Sequence, residues 1–182
     1  MQNHKLFLVF LFVSLAISAC QNKDKTTVNK SVEIHSPQDL DDALINNHKL
    51  RIKEEQELIQ AYIAKHNYTA QATATGVHYL IENTGSGEKV KLMADVQLKY
   101  QLNFIDDSYV YSSDSSGFLN IIIGQSTEPS GLQEALLLMN EGSKAIVIVP
   151  SYLAYGLTGD GEKIGGRETL VYHIEILKVR NN

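Results

Sequence analysis

From Asp95 to Phe104 apolar and polar residues alternate without a fault, which puts Val96, Leu98, Tyr100, Leu102 and Phe104 on one face. A period of two marks a strand with one covered face and one wetter face. The same period starts just after Gly76: Val77–Glu82 predicts a strand, and Asn83-Thr84-Gly85-Ser86-Gly87 the turn that follows it. Leu119–Ile123, Ala145–Val149 and Thr169–Val179 are further strand candidates. One helix fits this half. Leu132, Ala135, Leu136 and Met139 fall at helical spacing over Ser130–Met139, and Gly142 stands beyond its end as a stop. Together these elements predict an α+β domain over residues 76–182, a curved antiparallel sheet packed on one short helix.

The segment before Gly76 follows other rules. Ser36-Pro37-Gln38-Asp39 carries the signals of a helix start: a serine cap, proline at the first helical position and an acid in the first turn. Leu40 and Leu44, one turn apart, predict a short amphipathic helix there. A second helix is expected from about His48 to His66. Its apolar members Leu50, Ile52, Leu58, Ile59, Tyr62 and Ile63 match a 3.6 period only in part, and Lys53-Glu54-Glu55 reads as a solvated face. One or two N-terminal helices therefore precede the sheet, packed either on it or on a partner chain. Asn67–Thr75 is small and polar, a linker that completes a helical extension over 36–75.

The first 35 residues differ again. Leu6–Ile17 is apolar except for Ser14. It falls short of the ~20 residues a membrane span needs and suits the core of a secretory signal peptide over 1–19. The block ends in Ile17-Ser18-Ala19-Cys20, which resembles a bacterial lipobox, with Cys20 lipidated as the first mature residue. An ordinary signal peptide followed by a chance cysteine is the other reading. Lipidation implies attachment to a membrane, because each buried methylene contributes about 0.8 kcal/mol. Gln21–Lys30 is too polar to order itself, so 20–35 is expected to be a flexible tether. These features imply a lipid-anchored protein of the cell envelope, at the outer membrane and facing the periplasm.

Composition removes several chemistries. The 182 residues carry a net charge of -5, without a basic stripe, which argues against nucleic acid as a partner. The six histidines never fall at metal-ligand spacing, and Cys20 is the only cysteine. No metal or cofactor is expected. The aromatic supply is tyrosine: there is no tryptophan, and seven of the nine tyrosines lie after Gly76.

Three stretches carry a family resemblance: Gly142-Ser143-Lys144-Ala145, then Val149-Pro150-Ser151-Tyr152-Leu153-Ala154-Tyr155-Gly156, then Thr169-Leu170-Val171-Tyr172-His173-Ile174-Glu175-Ile176-Leu177. In order, they resemble the signature of FKBP-type peptidyl-prolyl cis/trans isomerases. Gly87, Tyr100, Ser112-Ser113, Gly124, Gly131 and Met139 fit the same pattern upstream. With the lipobox and the acidic helical segment, the whole looks like the gliding-motility-associated lipoprotein isomerases. The resemblance implies a five-stranded half-barrel around the helix at 130–139, acting on proline-containing polypeptides. It also implies roles. Tyr100 and Tyr172 would wall the pocket, Tyr155 would offer its hydroxyl to a substrate carbonyl, and the backbone amide of Ile164 would be a second donor. Val110, Leu119 and Leu132 would complete wall and floor. For Tyr100 and Tyr172 plain core packing is the alternative.

Several positions depart from the family pattern. Leu132 stands where the floor is usually tryptophan. Tyr111 stands where an aspartate usually engages the Tyr155 hydroxyl. Glu128-Pro129 replace two aliphatic residues on the rim, and Gly165-Gly166 replace paired prolines, which is expected to loosen Lys163–Glu168. These changes predict weaker binding and turnover on an unchanged fold. Three functions follow: a prolyl isomerase that helps envelope proteins fold, a peptide-binding module without useful catalysis, or an interaction protein whose 36–66 helices dock an envelope machinery partner.

Overall fold

The computed structural model describes residues 36–181. The expected signal peptide, the lipidation site Cys20 and the tether up to residue 35 lie outside the described residues. Helix α1 (Pro37–Lys65) comes first, with the Ser36 side chain accepting the Asp39 amide at 3.1 Å. It is one helix where the sequence suggested a short helix and a second. Asn46 and Asn47, which separate the two apolar patterns, cost a helix only tenths of a kcal/mol each (roughly 0.7 at most) and do not break it.

Strands β1 (Gln71–Ala72), β2 (His78–Asn83), β3 (Asp95–Phe104) and β4 (Tyr109–Ser112) follow, then the single turn of α2 (Ser113–Ser116) and β5 (Leu119–Ile122). Helix α3 (Ser130–Leu136), β6 (Lys144–Val149), a 3-10 turn (Ser151–Leu153) and β7 (Leu170–Arg180) complete the chain. The sheet is antiparallel throughout, in the order β1-β2-β6-β7-β3-β4, and β5 pairs with β3. It has seven strands rather than five. Both additions at its edges, β1 and β4, are too short to show a period.

Strand β3 organises the site. One edge pairs with β7 along its full length. The other edge is divided: Asp95–Leu98 pair with β5 and Gln101–Asn103 with β4. At the gap between them the Tyr100 amide donates to Ser113 Oγ at 2.8 Å, so a side chain replaces the missing neighbour strand.

The sheet is covered on both faces. Leu132, Ala135 and Leu136 of α3 pack with Leu98, Val147 and Tyr172 on one face. On the opposite face Ile59 and Tyr62 of α1 pack against Ile146, Ile148 and Val171. That is why Ala145–Val149 is apolar without alternation. The helix thus packs on its own domain, though only through its C-terminal part: Leu40, Leu44, Ile45 and Leu50 are all exposed. Its end is pinned to the β3–β4 turn, where Lys65 Nζ lies 2.6 Å from Asp107 Oδ2. Glu55 also departs from the solvated face assigned to it. It sits one turn before Ile59, half-buried, on the side that meets the domain.

Candidate active site

Where β3, β4, β5 and β7 meet the loop after the 3-10 turn, the surface opens into a hollow of ≈ 360 Å³. Tyr100 and Leu102 of β3, Tyr111 of β4, Leu119 of β5, Tyr155 of the loop and Tyr172 of β7 line it, with Ser116, Glu128, Asp160 and Glu162 at its polar margin. Four tyrosines separated by up to 72 positions in the chain therefore meet in one place. The alternating pattern of β3 explains its share, because Tyr100 and Leu102 fall on the face that also carries Val96 and Leu98.

The expected residues divide into two groups. Tyr100, Tyr111, Leu119, Tyr155 and Tyr172 line the hollow. Val110, Leu132 and Ile164 are not among the residues that line it and lie in the core cluster, to which Leu102 and Tyr172 also belong. Leu132 is fully covered by its neighbours. The Ile164 amide, expected as a donor, donates to Asp160 Oδ1 at 2.8 Å.

Tyr172 is 1% exposed, and its hydroxyl, facing Tyr155, has no hydrogen-bond partner of good geometry among the described residues. Burial pushes this phenol well above its ordinary range, with the Tyr155 and Glu128 groups adding to the effect. The Tyr155 hydroxyl donates to Glu128 Oε2 at 3.3 Å. Burial and this carboxylate raise the Tyr155 phenol. Burial likewise raises the carboxyl of Glu128 above 4.5, opposed by the hydrogen bond from Tyr155. Glu128 thus supplies the carboxylate that Tyr111 cannot, a role that the sequence showed only as an unusual acid on the rim.

Tyr111 does not plug the hollow. Its hydroxyl donates to Asp160 Oδ2 at 2.8 Å, and Lys163 Nζ stands 4.7 Å over its ring. Burial and the Asp160 carboxylate push its phenol up to about 12. These contacts fasten the loop that the glycine pair was expected to loosen. Gly166 serves close approach instead, because a Cβ there would meet the Leu157 carbonyl, and the Arg167 amide donates to Gly156 O at 2.7 Å. Asp160, missed in the sequence, organises this turn by accepting from the amides of Glu162 and Ile164. Its Asp-Gly-Glu setting was the available signal.

An antiparallel sheet, a short helix on one face and a tyrosine-walled hollow at their margin make up the fold and its candidate site. Residues 86–177 match the family model described as FKBP-type peptidyl-prolyl cis-trans isomerase, and the chain belongs to that family. It is 30% identical over 142 residues to a probable FKBP-type peptidyl-prolyl cis-trans isomerase FkpA of Neisseria meningitidis, covering 74% of this chain and 50% of that protein. It is 34% identical over 106 residues to the outer membrane protein MIP of Legionella longbeachae, covering 58% and 45%. The chain thus spans about half the length of these relatives. Among solved structures, a peptidyl-prolyl cis-trans isomerase from Pseudomonas syringae superposes with a TM-score of 0.62 at 25% identity, covering 73% of this chain and 96% of that one. FkpA from Escherichia coli superposes at 0.61 with 24% identity, covering 80% and 73%, a likeness of fold.

Proposed function

We propose that this protein is a peptidyl-prolyl cis/trans isomerase of the bacterial cell envelope, held at a membrane by lipid on Cys20 and acting on proline-containing polypeptides. The observation that carries the activity is the convergence of Tyr100, Tyr111, Tyr155 and Tyr172 on one hollow, with the buried Tyr172 hydroxyl facing that of Tyr155.

The chemistry asks for little more. Isomerisation breaks no sigma bond; its barrier of about 18–20 kcal/mol is the loss of amide resonance as the bond twists. A planar amide has a larger dipole and better solvation than the twisted one. Aromatic walls solvate the planar amide less well than water does and so disfavour the ground state more than the transition state, and a thousandfold gain needs only about 4 kcal/mol. Tyr100 and Tyr172 would hold the proline ring, and the hydroxyls of Tyr155 and Tyr172 would meet the flanking carbonyls. Isomerisation of a proline peptide by the full chain in detergent tests this, and a rate no faster than buffer would sink it. Tyr155→Phe is expected to lower kcat/KM by about tenfold in a chain that still folds.

One observation favours the binding module as a second reading. The Tyr155 hydroxyl is engaged by Glu128 and the Ile164 amide by Asp160, so two expected donors are already occupied. Peptide binding without acceleration would identify that case. Cys20 lipidation, the outer-membrane location and the likeness to gliding-motility lipoproteins rest on the sequence patterns. Mass spectrometry of the mature N-terminus tests the first. Docking of an envelope partner by 36–66 is supported by the exposed Leu40, Leu44 and Ile45, and predicts that deleting the helix abolishes function in cells.

A further inference from the structure

The loop that carries Tyr155 leaves the sheet after Val149 and returns at Leu170, and these two residues are paired across β6 and β7. Just beyond that pair the two arms of the loop separate, at Ser151 on one side and Thr169 on the other. A single carboxylate from outside the sheet bridges them. Glu55 Oε1 accepts the Ser151 amide at 2.6 Å and the Thr169 hydroxyl at 2.6 Å, while Oε2 accepts the Ser151 hydroxyl at 3.1 Å. Hydrogen bonds to an ionised acceptor are roughly twice as strong as neutral ones. Thr169 is 6% exposed, so its contact is largely shielded from water.

The grip continues into the loop. The Ser151 carbonyl accepts the Gly156 amide at 2.9 Å, and the Gly156 carbonyl accepts the Arg167 amide at 2.7 Å. Gly156 directly follows Tyr155. The carboxylate is therefore linked to the backbone beside the catalytic hydroxyl by one residue, Ser151. On the far side of the same turn the Tyr152 hydroxyl donates to the Thr75 carbonyl at 2.8 Å, so the segment after α1 holds the turn as well. Glu55 is placed for this by Ile59 and Tyr62, four and seven positions on, which press the same side of α1 onto the sheet.

We propose that Glu55 is a positioning residue for the isomerase site and that α1 is through it a working part of that site. The inference rests on the reading of the hollow as a prolyl isomerase. The proline ring is held by Tyr100 and Tyr172 on strands β3 and β7, which Glu55 does not touch. The Tyr155 hydroxyl is held by the loop, which it does. Loss of the carboxylate should accordingly spare binding and slow turnover.

The test compares the full chain in detergent with Glu55→Ala, Glu55→Gln and Ile59→Ala, measuring kcat and KM on one proline peptide together with amide hydrogen exchange. Glu55→Ala is expected to lower kcat by about tenfold with KM within about twofold, the pattern of a misplaced group. Its Gly156 and Arg167 amides should exchange faster, and those of β3 should not. Glu55→Gln keeps an oxygen for the Ser151 amide and the Thr169 hydroxyl, and should recover kcat to within about threefold of wild type. Ile59→Ala loosens the helix that places the carboxylate without removing it, so it should lower the melting midpoint and reduce kcat by less than Glu55→Ala does. An unchanged kcat in Glu55→Ala overturns the inference and leaves the isomerase reading standing. So does an equal loss in Ile59→Ala, which would mean that general docking of the helix is what matters. A wild-type chain no faster than buffer overturns the isomerase reading and the inference with it.

Discussion

At the scale of single residues, Glu128 sets the condition of the site. Its folded carboxyl titrates above the ordinary 4.5 because burial penalises the charge more than the Tyr155 hydroxyl rewards it. The folded chain therefore holds this proton more tightly than the unfolded chain does. Stability present below 4.5 is lost as pH rises through the folded value. Glu128→Gln abolishes that dependence, so its melting midpoint should exceed that of wild type at pH 7, with the gap closing by about pH 4. Equal shifts at both pH values in thermal denaturation would refute the assignment. The neutral amide is also a weaker acceptor for Tyr155, and kcat/KM at pH 7 should rise with it. Residue-scale reading of the sequence went as far as tyrosine chemistry went. Tyr100, Tyr111, Tyr155 and Tyr172 all reach the hollow; strand alternation fixes where Tyr100 points, and the other three were placed by the family resemblance. Glu128, Asp160 and Glu55 stayed hidden, because an acid's partner is chosen by tertiary contacts that no local period records.

At the scale of elements, the strands and α3 were legible from their periods. β3 agrees residue for residue, and β6 and β7 differ only at their ends. The short edge strands were not legible, and α1 was misjudged in two ways. Its division into two helices overrated a pair of asparagines. Its weak amphipathic pattern reflects a helix that buries only one end. That asymmetry has a measurable result. Ile59 is 0% exposed, so Ile59→Ala should cost about 2–5 kcal/mol in denaturant unfolding. Leu44 is 59% exposed, and Leu44→Ala should stay within about 0.5 kcal/mol of wild type. Equal costs at the two positions would contradict the docking described for α1.

At the scale of the whole molecule, charge and shape act together. The chain is acidic, with a net charge of -5, and Glu128, Asp160 and Glu162 stand around the hollow. Among the described residues no lysine or arginine lines it, since Lys163 folds over the Tyr111 ring and donates to the Val110 carbonyl. Peptides with lysine beside the proline should therefore show a higher kcat/KM than those with glutamate. The difference should shrink as salt shortens the Debye length below about 8 Å. A preference for glutamate, or one indifferent to salt, would count against this picture. Shape adds a separate consequence. From Pro37 to Arg51 nearly every residue of α1 faces solvent, and those 15 residues extend about 22 Å as a straight rod. The tyrosine hollow is thus mounted at the end of an outrigger. Whatever fixes residue 36 also fixes the height at which the site works, and a proline nearer or farther than that height must come to it.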